Sequence, residues 1–439
     1  MNNSNFTPLE QKILSKITEE RWIELATDLI KTGQPHSGNP LDPDMPGGEE
    51  EAIAMMVAGK LETMGMDVKT YSAVPHRPNV VGTIKGTGDG PSLMMNDHLD
   101  TYPVVEPKKW DKTNYNPYNA TKHGDLLYAR GTSDTRGNMA SCLLAAQVLI
   151  EEGIKFKGDL IYCFCVDEER DGTHGSIYLT KEIGITADYS ITAEPTAWGG
   201  AVSENSAPGS WGMNLSIANS GHCLVEVVIS GEKSHIWRPD ISVNPIVEAA
   251  KLIPEIEAMM FTHVPTEFMG HTPPCASLVR ARSGLEGEMQ FSPDTCTLTL
   301  AVVGIVPGMT LESIVSDINT LASKCFGGRN DISANARGVP GALFVEATEP
   351  SPLDQEPCLS LTKVYGRLMD GAVPNANRKN AFNDTIRLRE AGINAVTFGP
   401  GEDGWAADNE YISIAKSVKA AQIYALTMIE ILEGEVDDS

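Results

Sequence analysis

The chain has 439 residues, 41% of them hydrophobic, which is enough for a large core and too many for one ordinary domain. Its 59 acidic against 34 basic residues give a formal net charge of -25, which argues against a nucleic-acid backbone or an anionic membrane surface as partner and accords with a need for cations. No window approaches the roughly 20 apolar residues of a membrane span, the polar residues 1–7 lack a secretory apolar core, and the 8 scattered cysteines predict a reduced, cytoplasmic compartment.

Residues 8–32 carry apolar side chains at helical spacing, among them Ile13, Trp22, Leu25 and Leu29. Gly33 ends that helix, and a Gly/Pro-rich loop runs to Gly48. A second helix is predicted over 49–64, its acidic first turn suited to the helix dipole. Strands follow at 80–84 and 93–97, the latter running into His98. A short strand at 126–129 leads to Arg130-Gly131-Thr132-Ser133-Asp134, and a helix covers 138–152. The apolar run 159–166 reads as a strand buried on both faces, as in a parallel sheet, and ends in Asp167-Glu168-Glu169. A helix over 176–183 and a strand over 189–193, ending at Glu194, continue an alternation that indicates an α/β domain.

Near Trp211 the pattern changes. Strands at 213–217, 224–230, 275–281 and 295–303, with helices at 244–259 and 311–322, outline a small antiparallel sheet with two helices, a ferredoxin-like module. Beyond about Asn330 the α/β character returns with a helix at 359–368, a strand at 395–398 and a closing helix at 414–432, and the acidic residues 435–439 read as a frayed tail. The expected architecture is an α/β catalytic domain built from residues 1–211 and 331–439, its mostly parallel sheet covered by helices on both faces. An α+β lid or dimerisation domain over 212–330 is inserted into it.

His98, Asp134, Glu168, Glu169 and Glu194 all fall at the ends of strands of one α/β domain, where open sheets form their binding crevice. Gathering so many carboxylates without a cation is costly. A divalent ion resolves the conflict, and a mixed imidazole and carboxylate set suits zinc, manganese or cobalt better than calcium. His98 and Asp100 stand two apart, so both side chains leave an extended chain on one face, and Asp100 can orient the imidazole. Of the neighbours Glu168 and Glu169, one can bind metal while the other takes a proton from water, the division of labour that metal-assisted hydrolysis needs. Taken alone, residues 167–169 would read as a solvated acidic turn; their place after a buried strand and beside the other candidates favours the metal site.

Several segments match one family. They are His98-Leu99-Asp100, Tyr128 through Asp134, Asp167-Glu168-Glu169, Glu194-Pro195-Thr196, Gly231 to His235 with Pro239 and Asn244, and Phe398-Gly399-Pro400-Gly401. In these the chain resembles the M20 metallopeptidase family, the group of carboxypeptidase G2, aminoacylase-1 and the acetylornithine and succinyl-diaminopimelate deacylases, over nearly its whole length. The resemblance implies one metal held by His98, Asp134 and Glu194, and a second sharing Asp134 and adding Glu169. It implies Glu168 as general base and Asp100 as the residue orienting His98. His235, in the inserted domain, would stabilise the oxyanion, in this family typically in the active site of a partner subunit, so that a homodimer or higher homo-oligomer is expected. Asn383 and Arg387 would contact substrate.

The chain departs from the family at three places. The His that normally completes the second metal site falls at Ala406 or Ala407, with Asp408 or Asp403 as the nearest substitutes. An Arg preceding Pro-Gly in the inserted domain falls at Gly304, and the Arg that often holds a substrate carboxylate falls at Ile386, with Arg387 one place along. One firmly held ion is therefore expected. The expected function is hydrolysis of a non-ring C–N bond in a small molecule by metal-activated water. Two alternatives stand beside it. One is a single-metal aminohydrolase releasing ammonia from a small amine such as 5-nitroanthranilate, an activity known in the family. The other is a non-catalytic binding protein of the same fold, against which the retention of Glu168 and Glu169 speaks.

Overall fold

Six consecutive buried residues, Leu93–His98, form the strand around which the catalytic part of the chain is built. In the computed structural model, residues 6–32, 48–196, 213–268, 270, 272–401, 404 and 406–436 are described. They fall into two units, one of residues 1–217, 351–377 and 383–439 and the other of 218–350 and 378–382.

The sheet of the first unit has eight strands, in the order Asp67–Tyr71, Asn79–Ile84, Leu160–Cys165, Leu93–His98, Tyr189–Thr192, Asn394–Thr397, Leu215–Asn219 and Ala376–Lys379. Leu93–His98 pairs in parallel with Leu160–Cys165 and with Tyr189–Thr192, which pairs in parallel with Asn394–Thr397. These four central strands therefore end at the same edge. Both faces of the sheet are covered, so Leu160–Cys165 is a continuous apolar run rather than an alternating one. Ile161, Cys163 and Cys165 pack with Leu388 of the helix Asp384–Glu390. On the opposite face the Tyr162 hydroxyl donates to the Cys142 carbonyl (2.7 Å) of the helix Gly137–Glu151. That helix is apolar nearly all round because it lies between the sheet and further helices, Glu19–Lys31 and Ile414–Leu432. A three-stranded sheet of Tyr411–Ser413, Leu126–Tyr128 and Thr121–His123 flanks the loop that carries Asp134.

The second unit is a four-stranded antiparallel sheet, ordered Cys275–Ser283, Thr295–Ile305, Gly221–Ser230, Ser333–Gly338, with the helices Pro245–Glu257 and Leu311–Phe326. Burial alternates strictly along Gly221–Ser230, and Val225, Val227 and Ile229 meet Leu252 and Ile318 in one core. Chain order strand-helix-strand-strand-helix-strand with this spatial order is the ferredoxin-like arrangement.

Three features differ from the sequence expectation. The predicted helix over 8–32 is two helices, Pro8–Lys16 and Glu19–Lys31. Ile17 turns extended, and the Thr18 hydroxyl accepts the Arg21 N–H (3.4 Å) as a new N-cap. The inserted unit runs to residue 350 rather than 330, because Ser333–Gly338 is its fourth strand. That strand buries Ala336 and shows polar residues around it, so its apolar period is too weak to read. Leu215–Asn219, expected with the inserted module, belongs instead to the large sheet. The expected tail over 435–439 lies partly outside the described residues; Glu435–Val436 pairs with Ile154–Lys155. Among the described residues no helix is long and apolar enough to cross a membrane.

Candidate active site

The carboxyl end of Leu93–His98 delivers His98 into a buried position, 1% exposed. Its Nδ1 faces the Asp100 carbonyl at 3.1 Å and the Asp100 Oδ1 at 3.4 Å. Its Nε2 faces Asp134 Oδ1 at 3.0 Å and Glu168 Oε2 at 3.8 Å. Burial alone would keep this imidazole neutral. The charge of Glu168 and the carboxylates of Asp100 and Asp134 outweigh burial and hold its pKa well above the ordinary value. The surroundings thus call for a positive charge at Nε2. Asp100 has a second task. Its Oδ1 accepts the Glu168 N–H (3.2 Å) and its Oδ2 the Glu169 N–H (3.3 Å), which fixes the acidic turn against the His98 strand.

That turn begins where the strand Leu160–Cys165 ends. Asp167 takes a left-handed backbone, φ 65°, and Glu168–Arg170 form a single 3-10 turn. The Asp167 carboxylate is pinned by Arg77 Nη1 (2.9 Å) and by the His174 N–H (3.0 Å). Arg77 is itself anchored on the buried Glu50, whose two oxygens accept from its Nε at 3.0 and 2.9 Å. The turn aims both glutamates inward. Burial, and then the charge of Glu194, lifts the Glu168 carboxyl well above its ordinary pKa; burial, and then Asp134, does the same to Glu169. Oε1 of Glu169 is buried and has no hydrogen-bond partner among the described residues.

Ligand atoms of His98, Glu168 and Glu169 lie within 4.8 Å of one another. A mixed nitrogen and oxygen donor set and a buried carboxylate oxygen lacking a partner among the described residues fit a divalent transition ion. The expected first ligand set was His98, Asp134 and Glu194. Among the described residues the tight cluster instead includes Glu168, while Asp134 adjoins it through His98. The Glu194 carboxylate accepts from Asn383 Nδ2 at 3.1 Å, and the same amide donates to Thr397 Oγ1 at 2.9 Å. Asn383 is therefore fully buried among the acids, holding one of them in place. Arg387 is buried beneath, its Nε on the Asp171 carbonyl (3.1 Å) and its Nη1 on Glu390 (2.9 Å), and Ile386 is 1% exposed. Gly399 must be glycine: a Cβ there would stand 2.4 Å from Asn138 Oδ1 and 2.7 Å from the Glu194 carbonyl.

Ala406, at the expected His position, has a left-handed φ of 61° and is half-buried; Ala407 and Asp408 are exposed. Asp408 Oδ2 lies 3.8 Å from Lys109 Nζ and is not part of the cluster. Asp403 lies outside the described residues. Gly304 has φ 70°, and a side chain there would meet the Thr272 and Pro273 carbonyls at 2.8 and 2.9 Å, so that position excludes an Arg. In the inserted unit His235 is half-buried against the Phe291 ring (5.1 Å), and its Nδ1 accepts the Trp237 N–H at 3.3 Å.

Sequence reasoning missed three buried acids. Asp97 accepts the His98 N–H (2.7 Å) and the Thr135 hydroxyl on Oδ1, and burial raises its pKa well above the ordinary range. Asp384, bonded to the Ser176 hydroxyl (2.5 Å), is pushed up to about 6, by burial first. Glu410 holds the Asp134 loop. The available signal for Asp97 was an acid directly before His98 in a strand that opens on Leu93, Met94 and Met95.

An α/β sheet whose parallel strand ends gather a histidine and several buried carboxylates, with a ferredoxin-like insertion, defines a class of hydrolase. The chain belongs to the peptidase family M20/M25/M40, whose profile matches residues 94–430, and it is a metal-dependent hydrolase. It is 34% identical over 193 residues to N-formyl-4-amino-5-aminomethyl-2-methylpyrimidine deformylase of Bacillus subtilis (strain 168), a match spanning 42% of each protein. Over 419 residues, 93% of this chain and 98% of the relative, it is 22% identical to the succinyl-diaminopimelate desuccinylase of Hydrogenovibrio crunogenus. The crystal structure of human carnosine dipeptidase 1 superposes with a TM-score of 0.72 at 14% identity, covering 97% of this chain and 99% of that one.

Proposed function

We propose that the protein hydrolyses a non-ring amide C–N bond of a small molecule, releasing a carboxylate and an amine. The observation that carries this reading is the pair Glu168 and Glu169, both brought within 4.8 Å of a His98 ligand atom, with Asp134 on the same imidazole. His98, Asp134 and Glu194 would hold a zinc, manganese or cobalt ion, with Glu169 beside it. Such an ion, when bound, polarises a carbonyl and lowers the pKa of water. Glu168 takes the proton of the attacking water on its carboxylate and passes it to the nitrogen as the C–N bond breaks. Asp100 orients His98 and the two glutamates. His235 donates from Nε2 to the developing oxyanion, since its Nδ1 already accepts the Trp237 N–H. In the family's manner we assign that role across a homodimer.

The substrate class we favour is an N-acyl amine without a carboxylate beside the scissile bond. Ile386 is buried where a carboxylate clamp is usual, and the Nε and Nη1 of Arg387 are engaged by Asp171 and Glu390. The name of the deformylase relative, an enzyme acting on an N-formyl compound, supports this. The free thiols of all eight cysteines support a cytoplasmic site of action. The test is a panel of N-formyl, N-acetyl and N-succinyl amines, dipeptides and aromatic amines with zinc, manganese or cobalt. Carboxylate and amine should appear in equal amounts. Ammonia released from an aromatic amine, with no carboxylate formed, would replace this reading with the aminohydrolase.

A further inference from the structure

The Asp134 loop is held by a residue that nothing above assigns a function. The carboxylate of Glu410 is 1% exposed. Oε1 accepts the backbone N–H of Ser133 (2.8 Å) and of Asp134 (3.0 Å). Oε2 accepts the N–H of Gly131 (3.0 Å) and Nη1 of Arg130 (2.7 Å). Four donors thus converge on one side chain, and three of them are the backbone of residues 131, 133 and 134. The geometry is that of an anion held in a concave run of main-chain amides, with the protein supplying the anion itself.

Arg130 closes the arrangement. Its Nη2 donates to the Ala406 carbonyl (3.1 Å), and its guanidinium lies 5.0 Å over the buried Trp110 ring. The Ala129 N–H donates to the Glu410 carbonyl (3.1 Å), where the strands Leu126–Tyr128 and Tyr411–Ser413 pair. Glu410 and Arg130 therefore tie the segment around Ala406 to the segment carrying Asp134. Gly131 leaves the loop little freedom. Its φ is 79°, and a Cβ would meet Thr101 Cγ2 at 2.9 Å. With the amide of Asp134 fixed by Glu410, the Asp134 carboxylate reaches His98 Nε2 at 3.0 Å.

We propose that Glu410 is a positioning residue that aims the Asp134 carboxylate, and so sets how tightly the His98 site holds a divalent ion. The proposal rests on the reading of Asp134 as a metal ligand. It differs from a general structural role in one respect: the effect of Glu410 on metal binding is expressed only through Asp134.

The test is a titration of the metal-free full chain with manganese or zinc alone, in wild type, Glu410→Gln, Asp134→Asn and the double variant. The amide of Gln keeps one acceptor oxygen but turns a donor towards amides that are themselves donors. Glu410→Gln should weaken metal binding by about 10- to 100-fold, the usual effect of losing a partner that orients a ligand. Adding Glu410→Gln to Asp134→Asn should change affinity by no more than about twofold, because the two share one route. Glu410→Asp keeps the charge opposite Arg130 with a shorter reach; it should fold if Glu410→Gln does not, and should still bind metal more weakly than wild type. Wild-type affinity in both Glu410 variants, with Asp134→Asn weakened, overturns the clamp alone. An equal loss from Glu410→Gln in both backgrounds assigns Glu410 to stability only and overturns it as well. Unchanged affinity in Asp134→Asn would instead overturn the reading of Asp134 as a ligand, and the clamp with it.

Discussion

Nε2 of His98 and Oδ1 of Asp134 stand 3.0 Å apart, though 36 residues separate them in the chain. One closes a buried strand and the other sits in a loop held by main-chain amides, so the pairing is a property of the fold. With Glu168 Oε2 only 3.8 Å from the same nitrogen, the imidazole faces two carboxylates at once. Positive charge in that gap is favoured, whether carried by the imidazole proton or by a cation that takes its place.

The first prediction concerns Glu168. Replacing it with Gln keeps shape and hydrogen bonding and removes the proton acceptor. Turnover should drop by about two to four orders of magnitude, the range general acid–base catalysis supplies. Metal content, measured by elemental analysis after dialysis, should remain close to wild type. Loss of the ion would make Glu168 a ligand, as its place within the 4.8 Å cluster allows, and would move the base to Glu169.

A second prediction links metal, pH and stability. Glu168 and Glu169 keep their protons to higher pH in the folded metal-free chain than when unfolded, burial being the first cause in each. A carboxyl with a raised folded pKa binds more protons folded than unfolded, so stability falls as pH climbs above the ordinary carboxylate range. His98 has the same sign. Its folded pKa is raised, against burial, by the surrounding acids, and its contribution is present below the ordinary imidazole pKa and lost as pH rises through the folded one. A divalent ion demands ionised carboxylates and displaces these protons. The melting temperature of chelator-treated protein should therefore fall from about pH 5 to about pH 8. The rise in melting temperature on adding manganese or zinc should grow over the same interval. A metal-induced shift independent of pH would mean that these groups are not at the ion.

The fold places near one another several residues that the sequence singles out, His98, Asp134, Glu168 and Glu169 among them. His98 and Glu168 lie beyond the buried apolar residues Leu93 to Met95 and Leu160 to Cys165, and Glu194 follows the strand Tyr189–Thr192, so acidic and imidazole side chains cluster where strands end. What could not be read depends on distance through space. Arg77 reaches Asp167 across 90 residues, and Glu410 reaches the Asp134 loop across 276. An isolated Glu before a short strand has no period to betray it. Ser333–Gly338 escaped for a related reason, being an edge strand with a single buried side chain. The break at Ile17 was hidden because apolar spacing continues through it, and only the Thr18 cap interrupts the helix.

His235 carries the third prediction. Its half-buried ring rests on Phe291, and the Trp237 N–H on Nδ1 leaves Nε2 to carry the proton of the neutral form. A ring so arranged donates a hydrogen bond. His235→Ala should reduce turnover by about 100- to 1000-fold, as removal of an oxyanion donor does, while metal content and melting temperature stay near wild type. His235→Gln, which can still donate, should recover part of the loss. A wild-type rate in His235→Ala would make the residue a bystander, and loss of the ion would make it a ligand.

The last prediction is that each chain holds one ion firmly. Three or four protein ligands are the usual complement of a catalytic transition-metal site, with one position left for water. His98, Asp134 and Glu194 would supply three for a single ion. A second ion would have Asp134, already shared, and Glu169, without the imidazole the family places at position 406 or 407. Ala407 and Asp408 are exposed, and Asp408 faces Lys109 rather than the cluster. Ala406 is the better candidate for the missing ligand, since it is half-buried and its carbonyl is bound by Arg130 of the Asp134 loop. Its φ of 61° is a backbone conformation that His tolerates more readily than most side chains. Dialysed wild type should contain about one ion per chain by elemental analysis, the number its ligand count supports. Ala406→His should raise that towards two at the same free metal concentration, and Ala407→His should not. Two tightly held ions in the wild type would refute the one-metal reading and direct attention to Asp403 as the missing ligand.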